Sequence, residues 1–472
     1  MRAQIEDGVV YSPYPDPERL NCSFYEAVKK AAFKNPGKLA LVDDSTALSM
    51  SEFHARLKLY AAGFQRRGVL PGDRVCVHIG NSVENFVAMW GCVVAGATIV
   101  LAKPSLTARE LRYQITDSDS THLLVEPALA EKAAKASANL PLKGRFTVGS
   151  FAADGFVPMG PLADLDEAAF REVSVAKPSK SVLAVLYTSG TTGLPKGVEL
   201  THCAFLANVG MSRWSFPWDE SDVLLLPTPI THGSGLVFIT VSLFRGTTSV
   251  IVPPSQKLSE VVKVVDKHQV TAAVLLPWHL HTLVDEMRHT GQRLRGVVDM
   301  ATGMRLGPNQ TGEIRFRAPM VMKGYYKRPK ETADFFDEEG WCKSGDAGYY
   351  DEDGRIHFVQ RFKEMIKCMD NQVVPAELED IILREHNRDV FDVCVVGLVN
   401  PKYGEAPAAA VVVRNQLSQQ ELASLSTRIK ATISKNCAAH KQLYGGVFFV
   451  DSIPKTESGK NNRTALLQKC AN

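Results

Sequence analysis

The sequence predicts an α/β fold, with a large N-terminal domain of doubly wound sheets and a small α+β domain at the C-terminus. Helical and strand-like hydrophobic patterns alternate over roughly the first 300 residues, which is typical of strand–helix–strand units in a parallel sheet. Short strand patterns and turns replace this alternation after about residue 310. The last hundred or so residues combine two helical patterns with several short strand patterns.

The N-terminal alternation begins at a capping box, Ser49 to Glu52, which predicts the start of a helix that Gly68 ends. A strand, a helix and a second strand are predicted next, over 75–79, 86–94 and 98–101. The same alternation recurs further along the chain, around 182–187, 223–226, 249–252, 261–267 and 272–276.

The C-terminal part begins with a predicted strand over 312–317 and a hairpin around Asp351 to Gly354. A helix is predicted after Pro375, and a second one is opened by the capping box Ser418 to Glu421. Further strands are predicted over 390–396, 408–413 and 447–450. We place a hinge near Gln360, between a domain of residues 1–359 and a domain of residues 361–472.

The composition is that of a globular protein in water. The 472 residues are 45% hydrophobic, and 54 basic side chains face 51 acidic ones, so we expect neither a nucleic acid nor a membrane surface as partner. Nine cysteines without a C-x-x-C pair indicate reduced thiols in a cytosol-like compartment. We expect no membrane span, no N-terminal signal and no C-terminal peroxisomal tripeptide. The oligomeric state stays open.

One segment carries most of the functional information. An apolar strand from Val182 runs into a loop of glycines and hydroxyls that is followed by a lysine. Glycines let backbone N–H groups converge on anionic oxygens, and the hydroxyls and the lysine add donors and positive charge, so the loop suits a polyphosphate. It is not a Walker A loop, because Lys196 stands between Pro195 and Gly197. The alternative is a surface turn. The candidate ligands are Thr188, Ser189, Gly190, Thr191, Thr192, Gly193 and Lys196.

The string Y-T-S-G-T-T-G-L-P-K-G-V, followed by L-T-H, resembles the phosphate loop of the adenylate-forming superfamily of acyl-CoA synthetases, 4-coumarate–CoA ligases and luciferases. Other motifs of that superfamily follow in the same order. They lie at 226–236, 311–315, 322–326, 341–348, 361–379 and 454–463, so the resemblance extends from about residue 44 to 467.

The resemblance implies a role for each matching residue. The loop would bind the β- and γ-phosphates of ATP, with Thr188 beside Mg²⁺, and His232 would line the acyl pocket. Asp346 would accept hydrogen bonds from the ribose hydroxyls, and Arg361 would approach the ribose or the phosphates. Gln372 would face the adenylate. The catalytic lysines would be Lys196, Lys367 for thioester formation and Lys460 for adenylation.

The resemblance further implies a small β-barrel part in the large domain and a mobile C-terminal domain. The implied function is that of an ATP-dependent carboxylic acid–CoA ligase that acts through an acyl-adenylate, with ATP, Mg²⁺ and CoA. Carboxylate and phosphate are both anionic, so positioning and cations lower the barrier. The acid would be a fatty acid or an aromatic propenoic acid such as 4-coumarate, and the compartment the cytoplasm or the peroxisome.

The chain departs from the superfamily in one large respect. The aromatic-Gly-x-Thr-Glu motif that holds adenine and supplies a Mg²⁺ glutamate is missing, and several tens of residues are absent between Leu294 and Val297. A strand and part of the acyl pocket would go with them, so we expect weak or absent ligase activity. The alternatives are a truncated, catalytically impaired isoform, a nucleotide-binding pseudoenzyme and a luciferase-like monooxygenase.

Two smaller departures lie near the hinge. Gln360 replaces the usual Asp or Lys, and Asp370 stands where the superfamily has Gly. A glycine there permits positive φ or a close approach of the thiol, so we expect the thioester step to suffer more than adenylation.

Overall fold

The computed structural model describes most of the chain, and it falls into two compact units. The large unit comprises Tyr14–Ala301 and Arg317–Asp337, and the small unit comprises Met1–Pro13, Thr302–Phe316 and Glu338–Asn472. The described residues are 4–6, 9–11, 20–160, 166–188, 195–215, 218–254, 258–274, 296–298, 312–316, 321–336, 340–352, 356–361, 365–369, 371–455 and 461–470.

The strands belong to both units. In chain order they are β1 (Gln4–Glu6), β2 (Val9–Tyr11), β3 (Leu39–Val42), β4 (Ala47–Ser49), β5 (Arg74–His78), β6 (Thr98–Ala102), β7 (His122–Val125), β8 (Gly144–Thr147), β9 (Val157–Pro158), β10 (Val182–Thr188), β11 (Lys196–Thr201), β12 (Val223–Leu226), β13 (Thr248–Ile251), β14 (Ala272–Val274), β15 (Gly296–Val298), β16 (Gly312–Phe316), β17 (Gly324–Tyr325), β18 (Cys342–Tyr350), β19 (Ile356–Arg361), β20 (Ile366–Cys368), β21 (Asn371–Val373), β22 (Val390–Asn400), β23 (Gly404–Val413) and β24 (Gly446–Phe449).

The helices pack on these strands. In chain order they are α1 (Phe24–Lys34), α2 (Met50–Arg66), α3 (Val83–Val94), α4 (Ala108–Asp117), α5 (Ala130–Ser137), α6 (His202–Ser215), α7 (Gly233–Arg245), α8 (Leu258–Lys267), α9 (Pro329–Phe335), α10 (Pro375–Glu385), α11 (Gln419–Asn436) and α12 (Arg463–Cys470). Among the described residues, none of these helices has the length and apolar character that crossing a bilayer requires.

The large unit is built on two sheets. One has eight strands in the order β17-β11-β10-β6-β5-β7-β8-β9, and the other has six in the order β15-β14-β12-β13-β3-β4. Most neighbouring strands are parallel and are joined through helices, which is the arrangement the alternating sequence pattern predicts. The predicted α/β fold class is therefore confirmed.

One hydrophobic core joins both sheets of the large unit. It includes Val77 of β5, Leu226 of β12 and Ala272 of β14. Nearly all of helix α3 lies inside it, because every residue from Asn85 to Val94 is buried. Helix α2 approaches α3 so closely that a Cβ atom at Gly91 would lie 2.5 Å from the Cβ of Tyr60.

The small unit is α+β, as predicted. Strands β16, β18 and β19 form a three-stranded antiparallel sheet, and the predicted hairpin is present because Tyr350 pairs with Ile356. Strands β20 to β24 form a second sheet, on which α10 and α11 bury Leu378, Leu425 and Ile429. Gln360 lies within β19 of this unit, and the hinge and domain boundary placed there stay predictions.

Candidate functional site

The base of the phosphate loop is a strand pair in the eight-stranded sheet. Strands β10 and β11 are antiparallel, and their last pair is Thr188 with Lys196, so the loop of 189–195 starts and ends at neighbouring positions. The Tyr113 hydroxyl donates to the Pro195 carbonyl oxygen at 2.8 Å. Thr188 is exposed, as expected for a ligand, whereas the predicted ligands from Ser189 to Gly193 lie outside the described residues.

Lys196 lies in a defined environment at this base. Its Nζ is 3.5 Å from Oε1 of Glu331 and 5.7 Å from the centroid of the Tyr325 ring. Only 23% of the Lys196 side chain is exposed. The backbone N–H of Glu331 and then the charges of Lys196 and Arg328 lower the pKa of Glu331, so the carboxylate is ionised at neutral pH.

Other charged side chains fix the segment around β17 to the sheet. Arg328 pairs with Asp117 at 2.8 Å, and Lys327 pairs with Asp119 at 2.6 Å. Asp117 also accepts a hydrogen bond from the Tyr187 hydroxyl at 2.8 Å, and that bond together with burial raises the pKa of Tyr187 well above its ordinary value. The sequence reasoning missed this network, because its members are spread from residue 117 to 328.

His232, the predicted acyl-pocket residue, is the N-cap of α7. Its Nδ1 accepts the backbone N–H of Ser234 at 3.3 Å and lies 2.7 Å from the Ser234 hydroxyl. Protein atoms around His232 displace water and lower its pKa, and the charge of Lys103 lowers it further. The residue is still exposed at the surface, and the cap uses a neutral imidazole. The start of α7 is tightly packed, because a Cβ atom at Gly235 would lie 2.1 Å from the Pro229 carbonyl oxygen.

Asn81 holds the segment before His232 in place, and the sequence reasoning missed it. Its Nδ2 donates to the carbonyl oxygens of Thr228 and Val252, both at 2.9 Å. Its Oδ1 accepts the backbone N–H of Ile230, also at 2.9 Å. Asn81 follows β5 of the eight-stranded sheet, whereas its partners follow β12 and β13 of the six-stranded sheet, so one side chain connects the two sheets.

A cavity of about 840 Å³ lies between α1, α6 and α7. Its wall includes Val209, Val241 and Phe244, and its charged members are Lys30, Lys34, Asp219, Glu220 and Arg245. It lies at the C-terminal end of α7, whereas His232 caps the opposite end of that helix. The cavity contains none of the predicted site residues and is not assigned to the chemistry.

In the small unit, strand pairing brings together two predicted site residues. Asp346 of β18 lies directly opposite Arg361 of β19. Gly345 has φ +71°, which favours glycine, and the backbone N–H of Asp346 donates to the Ser344 hydroxyl at 3.0 Å. The strand pairing therefore brings the backbone positions of Asp346 and Arg361 next to each other.

A second strand pair in the small unit joins Lys367 and Gln372. Strands β20 and β21 are antiparallel, with these two residues opposite each other. The Lys367 side chain is exposed, and its backbone N–H donates to Glu405 at 2.7 Å. Met369 in the intervening turn has φ +51°, while Asp370 lies outside the described residues. The turn therefore places a non-glycine residue in the left-handed region.

Lys460 lies outside the described residues, but the chain on either side is firmly held. Lys455 and Asn461 form a bridge, and the backbone N–H of Asn462 donates to Pro454 at 2.7 Å. Arg463 grips Glu379 with two hydrogen bonds of 2.8 and 3.3 Å. Both residues stand in resembling motifs, yet the sequence reasoning did not predict that they pair. They fix one end of the segment that carries Lys460.

The chain was compared with known proteins. The family model described as AMP-binding enzyme matches residues 28–297, and the model described as AMP-binding enzyme C-terminal domain matches residues 377–460. A 4-coumarate–CoA ligase 5 of Oryza sativa subsp. japonica is 30% identical over 513 positions, covering 92% of each chain. Because that alignment includes only 92% of the 472 residues of this chain, several tens of its 513 positions have no counterpart here.

Solved structures share the fold. ATP-bound MatB from Rhodopseudomonas palustris has a TM-score of 0.79 at 23% identity, covering 94% of this chain and 98% of that one. The o-succinylbenzoate CoA synthetase MenE from Bacillus subtilis, in complex with its acyl-adenylate intermediate, has a TM-score of 0.73 at 22% identity, with coverages of 93% and 97%. At these identities the likeness concerns the fold, a large N-terminal part and a small C-terminal part.

Proposed function

The chain belongs to the AMP-binding enzyme family, and we propose that it is an ATP-dependent carboxylic acid–CoA ligase that forms an acyl-adenylate. The observation that carries the proposal is the Thr188–Lys196 pair, which closes a loop of glycines and hydroxyls and places a lysine at its base. Backbone amides, hydroxyls and one cation are the donor set that a triphosphate requires.

The proposed reaction uses residues of both units. Lys196 and the loop of residues 189–193 bind the β- and γ-phosphates, while Asp346 accepts hydrogen bonds from the ribose hydroxyls. Lys460 neutralises the incoming carboxylate and the α-phosphate as the carboxylate attacks and pyrophosphate leaves. Lys367 then assists the attack of the CoA thiol on the acyl carbonyl carbon of the mixed anhydride, and AMP leaves.

Arg361 and Gln372 lie opposite Asp346 and Lys367 in their strand pairs. We assign Arg361 to the ribose or phosphates and Gln372 to the adenylate. Gln360 is the proposed hinge, and the capped end of α7 at His232 lines the acyl pocket. The acid is an aromatic propenoic acid or a fatty acid, a class supported by the 4-coumarate–CoA ligase relative.

The described residues do not fit a Mg²⁺ site by themselves. Thr188 offers one neutral oxygen, and no three histidine, cysteine or carboxylate side chains in the described part of the chain form a group that could hold a metal ion. The Mg²⁺ ion usually takes one or two carboxylates in addition to phosphate oxygens. No step is therefore assigned to the ion.

ATP–pyrophosphate exchange over a panel of aromatic propenoic and fatty acids tests the proposal. We expect slow exchange that depends on the acid and falls at least about a hundredfold in Lys460→Ala and in Lys196→Ala, because each removes a cation from developing charge. The control is Lys135→Ala, at an exposed position on α5. Exchange that is absent with every acid, or unchanged in both lysine variants, contradicts the proposal.

A second candidate is a relative that binds nucleotide without turnover. It is favoured by the missing aromatic-Gly-x-Thr-Glu segment between Leu294 and Val297, which the resemblance indicates. Calorimetric titration with ATP distinguishes the two candidates. Binding without exchange supports the second candidate, and binding with acid-dependent exchange supports the ligase.

A further inference from the structure

Lys196 does not point freely into solvent at the base of the phosphate loop. Its ammonium group lies 3.5 Å from a Glu331 carboxylate oxygen, and the Tyr325 ring lies beside it. About a third of the Glu331 side chain is exposed, so the carboxylate meets both the lysine and water. In the proposed function the positive charge of Lys196 binds phosphate. In the structure that charge is already paired with Glu331.

The element that carries Glu331 is rigidly attached to the strand that carries Lys196. Strand β17 pairs with β11, and the backbone N–H of Tyr326 donates to Gly197 at 2.8 Å. The Thr332 hydroxyl accepts the N–H of Tyr325 at 2.9 Å and donates to the Arg328 carbonyl oxygen at 2.8 Å, which fixes α9 to β17. The two charges therefore belong to one folded block.

We propose that Glu331 is a positioning residue, which holds the Lys196 ammonium at the base of the phosphate loop and releases it when a polyphosphate binds. The polyphosphate part of this inference rests on the function proposed above, whereas the ion pair does not. A partly exposed ion pair of 3.5 Å is weak enough for a multiply charged phosphate to replace it. Glu331 would then orient Lys196 and compete with phosphate for it.

A role for Glu331 as a Mg²⁺ ligand is the alternative. It is less well supported, because Arg328 Nε also lies 4.0 Å from Oε1 of Glu331 and the carboxylate already faces two cations. The two roles predict opposite effects of Glu331→Gln, which keeps the shape and removes the charge. Competition predicts tighter polyphosphate binding, whereas metal ligation predicts weaker binding of ATP with Mg²⁺ and unchanged binding of tripolyphosphate without metal.

The ion pair can be tested in the full-length, nucleotide-free protein by limited acetylation with an N-hydroxysuccinimide ester. Peptide mass spectrometry then gives the acetylation rate at Lys196. We expect a rate about threefold to tenfold higher in Glu331→Gln and close to wild type in Glu331→Asp, since an ion-paired amine is less available. Glu131→Gln, which removes the partner of Lys135 on α5, is the matched control and leaves Lys196 unchanged. An unchanged Lys196 rate in Glu331→Gln overturns the proposal.

Calorimetry with tripolyphosphate and no metal tests the release. We expect an affinity about threefold to tenfold higher in Glu331→Gln than in wild type, and no such gain when Lys196→Met is also present. An unchanged or lower affinity overturns the competition. If wild type binds neither ATP nor tripolyphosphate, the proposed ligase function fails, and the acetylation rates still decide whether Glu331 holds Lys196.

Discussion

The two sheets of the large unit differ in whether one of their strands lies at the point where the resemblance indicates missing residues. In the eight-stranded sheet, β10, β6, β5 and β7 all have a partner on either side, and the phosphate loop extends directly from β10. Among the described residues, the six-stranded sheet ends at β15, which pairs with β14. β15 begins at Gly296, inside the interval from Leu294 to Val297 where the resemblance indicates missing residues.

This difference bears on the proposed nucleotide site. The described contacts of Lys196 and Thr188 belong to the eight-stranded sheet, whose strands do not include the interval from Leu294 to Val297. In the superfamily that this chain resembles, the adenine-binding motif would stand near the β15 end of the six-stranded sheet. We therefore expect phosphate binding and adenine binding to be separable in this chain, and each prediction below tests the contrast between the sheets.

The largest effect is expected from restoring the missing segment. The corresponding residues of the rice 4-coumarate–CoA ligase would be inserted between Leu294 and Val297. We expect ATP–pyrophosphate exchange to rise on the order of a thousandfold, because the insert supplies an adenine wall and a carboxylate for the metal. An insert with the motif glutamate changed to alanine is the control. Equal rates of ATP–pyrophosphate exchange in the original chain and in the grafted chain would contradict the contrast between the two sheets.

The link between the sheets should give the next largest effect. Asn81→Ala removes three hydrogen bonds to the backbone of Thr228, Ile230 and Val252. The partly buried backbone groups of these three residues would each lose a hydrogen-bond partner. We therefore expect the free energy of unfolding to fall by about 3 kcal/mol. Urea titration measures the loss, and Asn415→Ala at an exposed position is the control. A loss below about 0.5 kcal/mol would show that Asn81 does not connect the sheets.

Much of this contrast was predictable from the sequence, and the reasons differ between elements. Strands β10 and β12 and the capping box at Ser49 follow from local patterns, since the residues that form each one are neighbours in the chain. The Glu331–Lys196 pair joins residues 135 positions apart, and the Arg463–Glu379 pair joins residues 84 positions apart. Hydrophobic periodicity contains no information about such partners, so only the fold reveals them.

The effect of acid on His202 should be intermediate. Its Nδ1 accepts the backbone N–H of Phe24 at 3.1 Å, which fixes α1 to the end of β11 in the eight-stranded sheet. Burial lowers the pKa of His202 to about 4, below its ordinary 6.5, whereas Glu26 acts weakly in the opposite direction. The stability that the neutral ring contributes is therefore present above pH 6.5 and is lost as the pH falls towards 4.

His202→Asn tests this effect, because the asparagine oxygen accepts the same N–H but does not titrate. We expect wild type to lose about 2 kcal/mol more than the variant between pH 7 and pH 5, as urea titrations at both pH values would show. His440→Asn in the small unit is the control. If wild type and His202→Asn lose stability in parallel, the buried contact to Phe24 is not what makes this region sensitive to acid.

The smallest effect concerns the cap of α2, and it asks whether the two sheets unfold together. Ser49 ends β4 of the six-stranded sheet. The Ser49 hydroxyl accepts the backbone N–H of Glu52 at 3.3 Å, and the Ser49 backbone N–H donates to the Glu52 carboxylate at 2.7 Å. Ser49→Ala should lower stability by about 1 kcal/mol. The hydrophobic core spans both sheets, so native-state hydrogen exchange should show this loss equally for β5 and β12. Ser418→Ala, which removes the equivalent cap of α11 in the small unit, should leave both strands unchanged. A loss confined to β12 would mean that the six-stranded sheet opens by itself, and that the two sheets do not unfold as one cooperative unit.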